Sequence, residues 1–173
     1  MTNPRTRLFA CGLISAGILI LTVGLGSYFL MIADQNPDPI LVPEYIAELP
    51  LSNLTTGQEA LIEINQLHGK EFPLVSGAVG RYGDNNQAIT WIAWAADKPT
   101  AEQILIAMRE RIAEGNSPFS PTSELRNGNR TNYTHDGLGQ KHFYFQSRNL
   151  IVWTAVNATL YETALQQILD FYP

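Results

Sequence analysis

The sequence predicts an α+β fold, in which an N-terminal transmembrane helix precedes one antiparallel-sheet domain with three helices. Residues 8–33 contain no charged residue, which indicates a membrane helix. In the remainder, segments with apolar residues at helical spacing alternate with pairs of apolar segments joined by short turns. The motif Ile-x-Trp-x-Ala occurs at residues 89–93 and 151–155 and indicates two related hairpin-plus-helix units.

The apolar run of residues 8–33 is long enough to cross a bilayer. A spanning helix needs about 20 apolar residues, and this run has 26. Gly24-Leu25-Gly26 offers a signal-peptide cleavage site, but the apolar stretch continues beyond it, so a retained signal-anchor is favoured. Cys11 follows a lipobox-like tripeptide, yet it precedes the apolar region instead of following it, which argues against a lipoprotein.

The charges around this run predict its orientation. Arg5 and Arg7 precede the run, whereas all acidic residues follow it. Because Lys and Arg are retained on the cytoplasmic side, we expect residues 1–7 to form a cytoplasmic stub. The chain is therefore predicted to be a single-pass protein of the cell (plasma) membrane. Residues 8–33 contact the lipid bilayer, and the C-terminal domain is extracytoplasmic.

The composition of the outer part restricts its partners. Nine Lys and Arg and sixteen Asp and Glu residues follow residue 33, a formal balance of −7 without a block of like charge. A nucleic-acid-binding surface is therefore not expected. The only cysteine, Cys11, lies in the predicted anchor, so no disulfide is expected within the outer domain.

The outer part divides into a tether and one domain. Residues 34–50 hold four prolines, which favours an extended tether, although its apolar residues suggest that part of it packs on the domain. Residues 51–173 suffice for one domain with a sizeable core.

Three helices and five strands are predicted in that domain. Capping-box patterns at Thr56, Thr100 and Thr159 predict helices over residues 57–68, 101–114 and 160–172. Alternating or continuous apolar runs predict strands over residues 75–83, 88–96, 129–136, 140–147 and 150–156. We expect the helices to cover one face of the sheet, with Trp91 and Trp153 in the core beneath them.

The sequence contains no recognisable catalytic, cofactor or metal motif. The P-loop, the dinucleotide-binding glycine pattern, the nucleophile elbow and the zinc signatures are all missing. His135 and His142 are predicted on adjacent strands, where they could face each other, but no third metal ligand is evident. We therefore predict no catalytic residue, no cofactor and no metal, and an enzyme is the less favoured class.

One candidate contact patch remains. On the predicted strand 140–147, His142, Tyr144 and Gln146 share one face, which is exposed if the helices cover only the other face. Phe119 and Arg126 lie in the longest predicted loop. Phe119 is either a plug in the core of the domain or an exposed anchor for a partner.

Four stretches of the sequence resemble small bacterial single-pass membrane-anchored proteins. These stretches are residues 68–74 (HGKEFPL), 115–119 (GNSPF), 139–145 (GQKHFYF) and 170–173 (DFYP). The resemblance implies a bacterial source, and it brings no activity or site residue with it.

The leading hypothesis is that this is a membrane-anchored extracytoplasmic interaction domain, an accessory subunit of a membrane or cell-envelope assembly with a membrane-protein partner. An alternative is a small-ligand-binding domain with a pocket between the sheet and the long loop. A less favoured alternative is a hydrolase that uses His135, Asp136 or His142.

Overall fold

The computed structural model describes residues 40–68, 71–115, 117–127 and 130–173. The predicted stub, the anchor over residues 8–33 and the first part of the tether lie outside these residues. Within the described part, no helix is long and apolar enough to cross a membrane.

The described residues contain one antiparallel sheet of eight strands and three α-helices, which confirms the α+β class. The strands are β1 (Tyr45–Ile46), β2 (Leu49–Thr56), β3 (Leu74–Tyr82), β4 (Ala88–Ala95), β5 (Ser123–Asn127), β6 (Arg130–Gly137), β7 (Gln140–Ser147) and β8 (Leu150–Val156). Their spatial order is β1-β2-β3-β4-β8-β7-β6-β5. The helices are α1 (Gly57–His68), α2 (Lys98–Ala113) and α3 (Tyr161–Phe171).

The repeated Ile-x-Trp-x-Ala motif lies at the centre of the sheet. Strands β4 and β8 are neighbours, and their register places Trp91 opposite Trp153. Each of these strands closes a hairpin and leads into a helix, which gives the units β3–β4–α2 and β7–β8–α3. Both indoles lie half-buried on the same face of the sheet.

The helices cover both faces of the sheet, so the expectation that they cover one face is wrong. Helices α1 and α2 pack on the face that includes Val79 and Ile151, here called the α1/α2 face. Helix α3 packs on the opposite face, the α3 face, which includes Ile92 and Val152. The central strands are apolar on both sides, and each apolar face must be covered by another layer.

Residues 40–50 belong to the folded unit and do not form an extended tether. Ile46 is fully buried in the same cluster as α3. The backbone N–H of Ala47 donates to Gln167 Oε1 at 2.6 Å, and the hydroxyl of Tyr82 donates to the carbonyl of Pro43 at 2.9 Å. The folded unit therefore begins before Leu51, because this segment completes the cover of the α3 face.

Two of the predicted helix caps are wrong. Helix α2 begins at Lys98, and Asp97 is its N-cap, whose Oδ1 accepts from the N–H of Thr100 at 2.8 Å. Hydrogen bonds from the side chain and the backbone of Thr100 lower the pKa of Asp97. Pro99 fits the first turn because its missing N–H has no intrahelical partner there. Helix α3 continues from a 3₁₀ turn, Ala158–Leu160, and has no side-chain cap.

Candidate functional site

Two residues of the predicted contact patch are buried, so the expectation that their face is exposed is wrong. His142 is 3% exposed and Tyr144 is 0% exposed. Both lie on the α1/α2 face, where Tyr144 belongs to the cluster that includes the apolar side of α2. Phe119 covers the part of this face at His142, because its ring centroid lies 5.1 Å from that of the imidazole.

Phe119 is a plug in the core of its own domain. Its ring lies 4.7 Å from His135 and 5.5 Å from Trp153, measured between ring centroids. The segment beside it is fixed to β6, since the N–H of Ser120 donates to the carbonyl of Asp136 at 2.7 Å. Of the two interpretations of Phe119, the structure supports the plug.

Hydrogen bonds define the tautomer of His142. The indole N–H of Trp153 donates to Nδ1 at 3.1 Å, so Nδ1 carries a lone pair. Nε2 lies 3.0 Å from the carbonyl of Gly137 and therefore carries the proton. Both ring nitrogens are satisfied in the neutral form, and burial lowers the pKa of His142.

His135 faces His142 across the β6–β7 pair, with ring centroids 5.3 Å apart. Neither ring nitrogen of His135 has a hydrogen-bond partner among the described residues. Burial lowers its pKa to about 4, and the neighbouring His142 contributes in the same direction. The imidazole is therefore neutral at pH 7.

Within the described residues, no carboxylate is hydrogen-bonded to the buried histidines, and the histidines do not form part of a metal site. The carboxylate of Asp136 pairs with Lys141 at 3.2 Å on the opposite face of the strands, the α3 face, where both side chains are partly exposed. No group of three or more His, Cys, Asp or Glu side chains in the described ranges is placed to hold a metal ion.

Of the other two predicted patch residues, Gln146 lines a groove and Arg126 does not. The side-chain amide of Gln146 donates to the carbonyls of Lys98 and Arg148, at 2.9 and 2.7 Å, and so joins the β7–β8 turn to the start of α2. Gln146 lines the groove. Arg126 is exposed on β5, opposite Thr131 of the groove wall.

The groove opens where β6 and β7 separate. Their pairing ends at Tyr133 and Tyr144, although β6 begins at Arg130 and β7 continues to Ser147. On its other edge β7 pairs with β8 from Lys141 to Ser147, and β6 pairs with β5 at Arg130. Where β6 and β7 do not pair with each other, an open space remains at this end of the sheet. It lies between α2 on one face and the end of α3 on the other.

This space, which we call the cationic groove, has a volume of about 710 Å³ and is open to solvent. Its lining comes from α2 (Lys98, Glu102, Leu105, Ile106, Arg109), β6 (Arg130, Thr131, Tyr133), the β7–β8 turn region (Gln146, Ser147, Arg148) and the C-terminal end (Leu169, Asp170, Pro173). A second cavity, an apolar one beneath α1 and α2, has about 30 Å³ and holds at most about one water molecule.

Two arginines are positioned by their surroundings. Arg109 lies over the ring of Tyr133, with Cζ 5.7 Å from the centroid, and its Nη1 lies 3.5 Å from Glu124. Arg130 lies over the ring of Phe145 at 4.9 Å, and its Nη1 donates to the carbonyl of Leu169 at 3.3 Å. Burial lowers the pKa of Arg130, although an arginine remains protonated at pH 7.

The sequence predicted Gln146 as part of a contact patch and did not predict the cations of the groove. The four cations share no motif, because they lie on two turns of α2, one strand and one hairpin (Lys98, Arg109, Arg130 and Arg148). The only local signal is the spacing of Lys98, Glu102, Ile106 and Arg109, which places them on one side of α2.

No family model, curated protein or solved structure matches the chain.

Proposed function

We propose that this chain is a membrane-anchored extracytoplasmic binding domain that takes up a small ligand in the cationic groove. The groove carries this proposal. Its volume of about 710 Å³ falls within the range of small-molecule sites, about 300–1,000 Å³, and polar side chains from several elements converge on it.

The cationic groove supports the ligand-binding hypothesis, but not at the place where the sequence predicts the pocket. No described residue of the long loop (115–128) lines the groove. Three features favour the accessory-subunit hypothesis: permanent tethering, the lack of a recognisable catalytic set, and an exposed sheet face with His142 and Tyr144. The third is lost, because both residues are buried. A hydrolase would need a carboxylate and an imidazole within hydrogen-bonding reach. Instead, Asp136 pairs with Lys141, and His142 bonds with Gly137 and Trp153.

The anchor belongs to the same proposal. Residues 8–33 have the length, the apolar composition and the flanking charges of a signal-anchor. An anchor of this kind holds the groove at the outer surface of the membrane, where it encounters ligands that are released or transported there.

The test uses substitutions that fill the groove without touching the buried core. Ile106 lines the groove and is 39% exposed, so Ile106→Trp places an indole in the open space. Ile62 on α1 is 50% exposed and does not line the groove, so Ile62→Trp is the matched control. The full chain in a non-ionic detergent is screened against a library of small organic compounds by ligand-observed NMR.

We expect compounds to bind the wild type and the Ile62→Trp variant, and to lose at least about tenfold in affinity for Ile106→Trp, since the indole displaces them. Compounds that bind all three proteins equally would show that the groove is not the site. An absence of any binding compound would contradict the proposed function.

A further inference from the structure

We propose that the ligand is a small organic anion whose phosphate or carboxylate group pairs with the guanidinium group of Arg130 in the cationic groove. The inference rests on the proposed function and names the chemical class of its ligand.

The charge of the groove is opposite to that of the rest of the domain. Four basic residues line the groove, compared with two acidic ones. The basic residues are Lys98, Arg109, Arg130 and Arg148, and the acidic ones are Glu102 and Asp170. Nine basic and sixteen acidic residues follow residue 33 in total. Nearly half of the cations of an acidic domain therefore converge on one concave site, and such a site concentrates anions.

Arg130 is the cation with the strongest need for a counter-ion. It is half-buried, and no carboxylate of the described residues lies within ion-pairing distance of it. Its hydrogen bond to the Leu169 carbonyl uses only part of a guanidinium group that has five N–H donors. A partly buried charge is unfavourable unless it is paired, so an anion at this point removes the penalty.

Two further cations flank this position without a carboxylate of their own. Lys98 and Arg148 have no ion pair among the described residues, and the amide of Gln146 holds their backbones together. Arg109 differs, because Glu124 and Tyr133 already contact it. We therefore assign the direct contact to Arg130, and a supporting electrostatic role to the other three.

Most of the groove lining is polar, but part of it is apolar, which favours an organic anion over an inorganic one. Leu105, Ile106, Leu169 and Pro173 contribute apolar surface to the same groove. An inorganic ion would leave this surface in contact with water. A ligand with a hydrocarbon portion covers it, which is favourable by about 25 cal/mol per Å² of apolar area removed from water.

The test measures binding of a series of probes that share one apolar body and differ in charge. The probes are phenyl phosphate, benzoate, benzamide and benzylamine, titrated calorimetrically into the full chain in a non-ionic detergent. We expect the two anions to bind at least about tenfold more tightly than the neutral amide, and the amine to bind least, since a charge-assisted hydrogen bond has this magnitude. The affinity of the anions should fall with rising salt concentration.

Variants locate the contact. Arg130→Gln should weaken phenyl phosphate binding about 10- to 100-fold, and Arg130→Lys should weaken it less, because it keeps the charge and loses the two-pronged geometry. Arg148→Gln, at an exposed turn, should weaken binding by a few-fold without affecting folding. Arg111→Gln is the control, since Arg111 is an exposed cation of α2 outside the groove that pairs with Glu114.

Micelles that contain phosphatidylglycerol distinguish two sources of the oxyanion. Competition between this lipid and phenyl phosphate identifies a lipid headgroup as the ligand, whereas unaffected binding identifies a soluble ligand, and both results support the inference. Equal binding of the neutral and anionic probes, abolished by Ile106→Trp but not by Arg130→Gln or Arg148→Gln, would overturn the inference and leave the proposed function intact. Binding that is insensitive to all of these variants would overturn both.

Discussion

At the scale of single residues, His135 couples the folded state to pH. Its imidazole is buried and neutral, with a pKa lowered to about 4, whereas the unfolded chain has the ordinary value of about 6.5. Between these values the unfolded state binds a proton that the folded state does not. The contribution of His135 to the free energy of unfolding is therefore complete above about pH 6.5 and is lost as the pH decreases toward 4. This contribution is about 3 kcal/mol.

Urea unfolding of the wild type and of a His135→Phe variant between pH 4 and 8 checks this expectation. The variant keeps a ring next to Phe119 and Trp153 but cannot take up a proton. The free energy of unfolding of the variant should fall less steeply between pH 6.5 and 4 than that of the wild type. Parallel profiles for the two proteins would show that His135 does not control the acid response.

A second prediction concerns the contact between Gly137 and Phe119. A Cβ atom added at Gly137 would collide with Cδ1 of the Phe119 ring. Gly137→Ala should therefore displace the plug and lower the free energy of unfolding by about 1–3 kcal/mol, the usual range for overpacking. In a Phe119→Ala background the same substitution should cost much less, because the collision with the ring is absent and only an approach of 3.2 Å to the carbonyl oxygen of Pro118 remains. Additive effects in this double-mutant cycle, measured by urea unfolding, would contradict the plug.

At the scale of elements, a buried pair of hydroxyl groups joins the central strands β4 and β8. Thr90 and Thr154 are directly opposite each other, fully buried, with their Oγ1 atoms 3.1 Å apart. Thr90→Val leaves the hydroxyl of Thr154 unpaired and should reduce the free energy of unfolding by about 1–3 kcal/mol. The double variant Thr90→Val/Thr154→Val should be closer to the wild type than the sum of the single variants predicts. Chemical denaturation of the four proteins measures the coupling.

The sequence predicted those elements whose pattern is strong. Helix α1 and strands β7 and β8 have the predicted bounds, since each combines apolar periodicity with short turns. Strands β1, β2 and β5 were missed. Strand β1 has only two residues, and β2 and β5 lie toward the edges of the sheet and bury little, as in the polar segment Ser123–Asn127. The number of covered faces was also missed, although the nearly continuous apolar runs of β4 and β8 are typical of strands buried on both sides.

The site was less predictable than the fold. The alternation of His142, Tyr144 and Gln146 along β7 correctly placed them on one face, but it contains no information about what covers that face. The covering residues come from α2 and from Phe119, which are distant in sequence. The groove depends on the separation of β6 from β7, a tertiary feature that no residue pattern in either strand encodes.

At the scale of the whole molecule, the proposed function depends on an anchor over residues 8–33. We expect the full chain to remain in the membrane fraction after extraction with alkaline carbonate, because this run of 26 uncharged, predominantly apolar residues is longer than the bilayer core requires. Deletion of residues 8–33 should release the chain into the soluble fraction. A control in which an alternating Leu-Ala segment of equal length replaces this run should stay in the membrane. Release of the wild type by carbonate would contradict the anchor.

The separation of β6 from β7 also brings side chains of two layers of the molecule to one groove. Helices α2 and α3 lie on opposite faces of the sheet, yet side chains of α2 and the end of α3 both border the groove. A molecule held there touches both layers at once, so its binding energy opposes local opening of either one. Occupancy should therefore slow amide hydrogen exchange at Leu169 and Asp170 as well as along α2. A ligand in the groove would thus stabilise both helical layers against local opening.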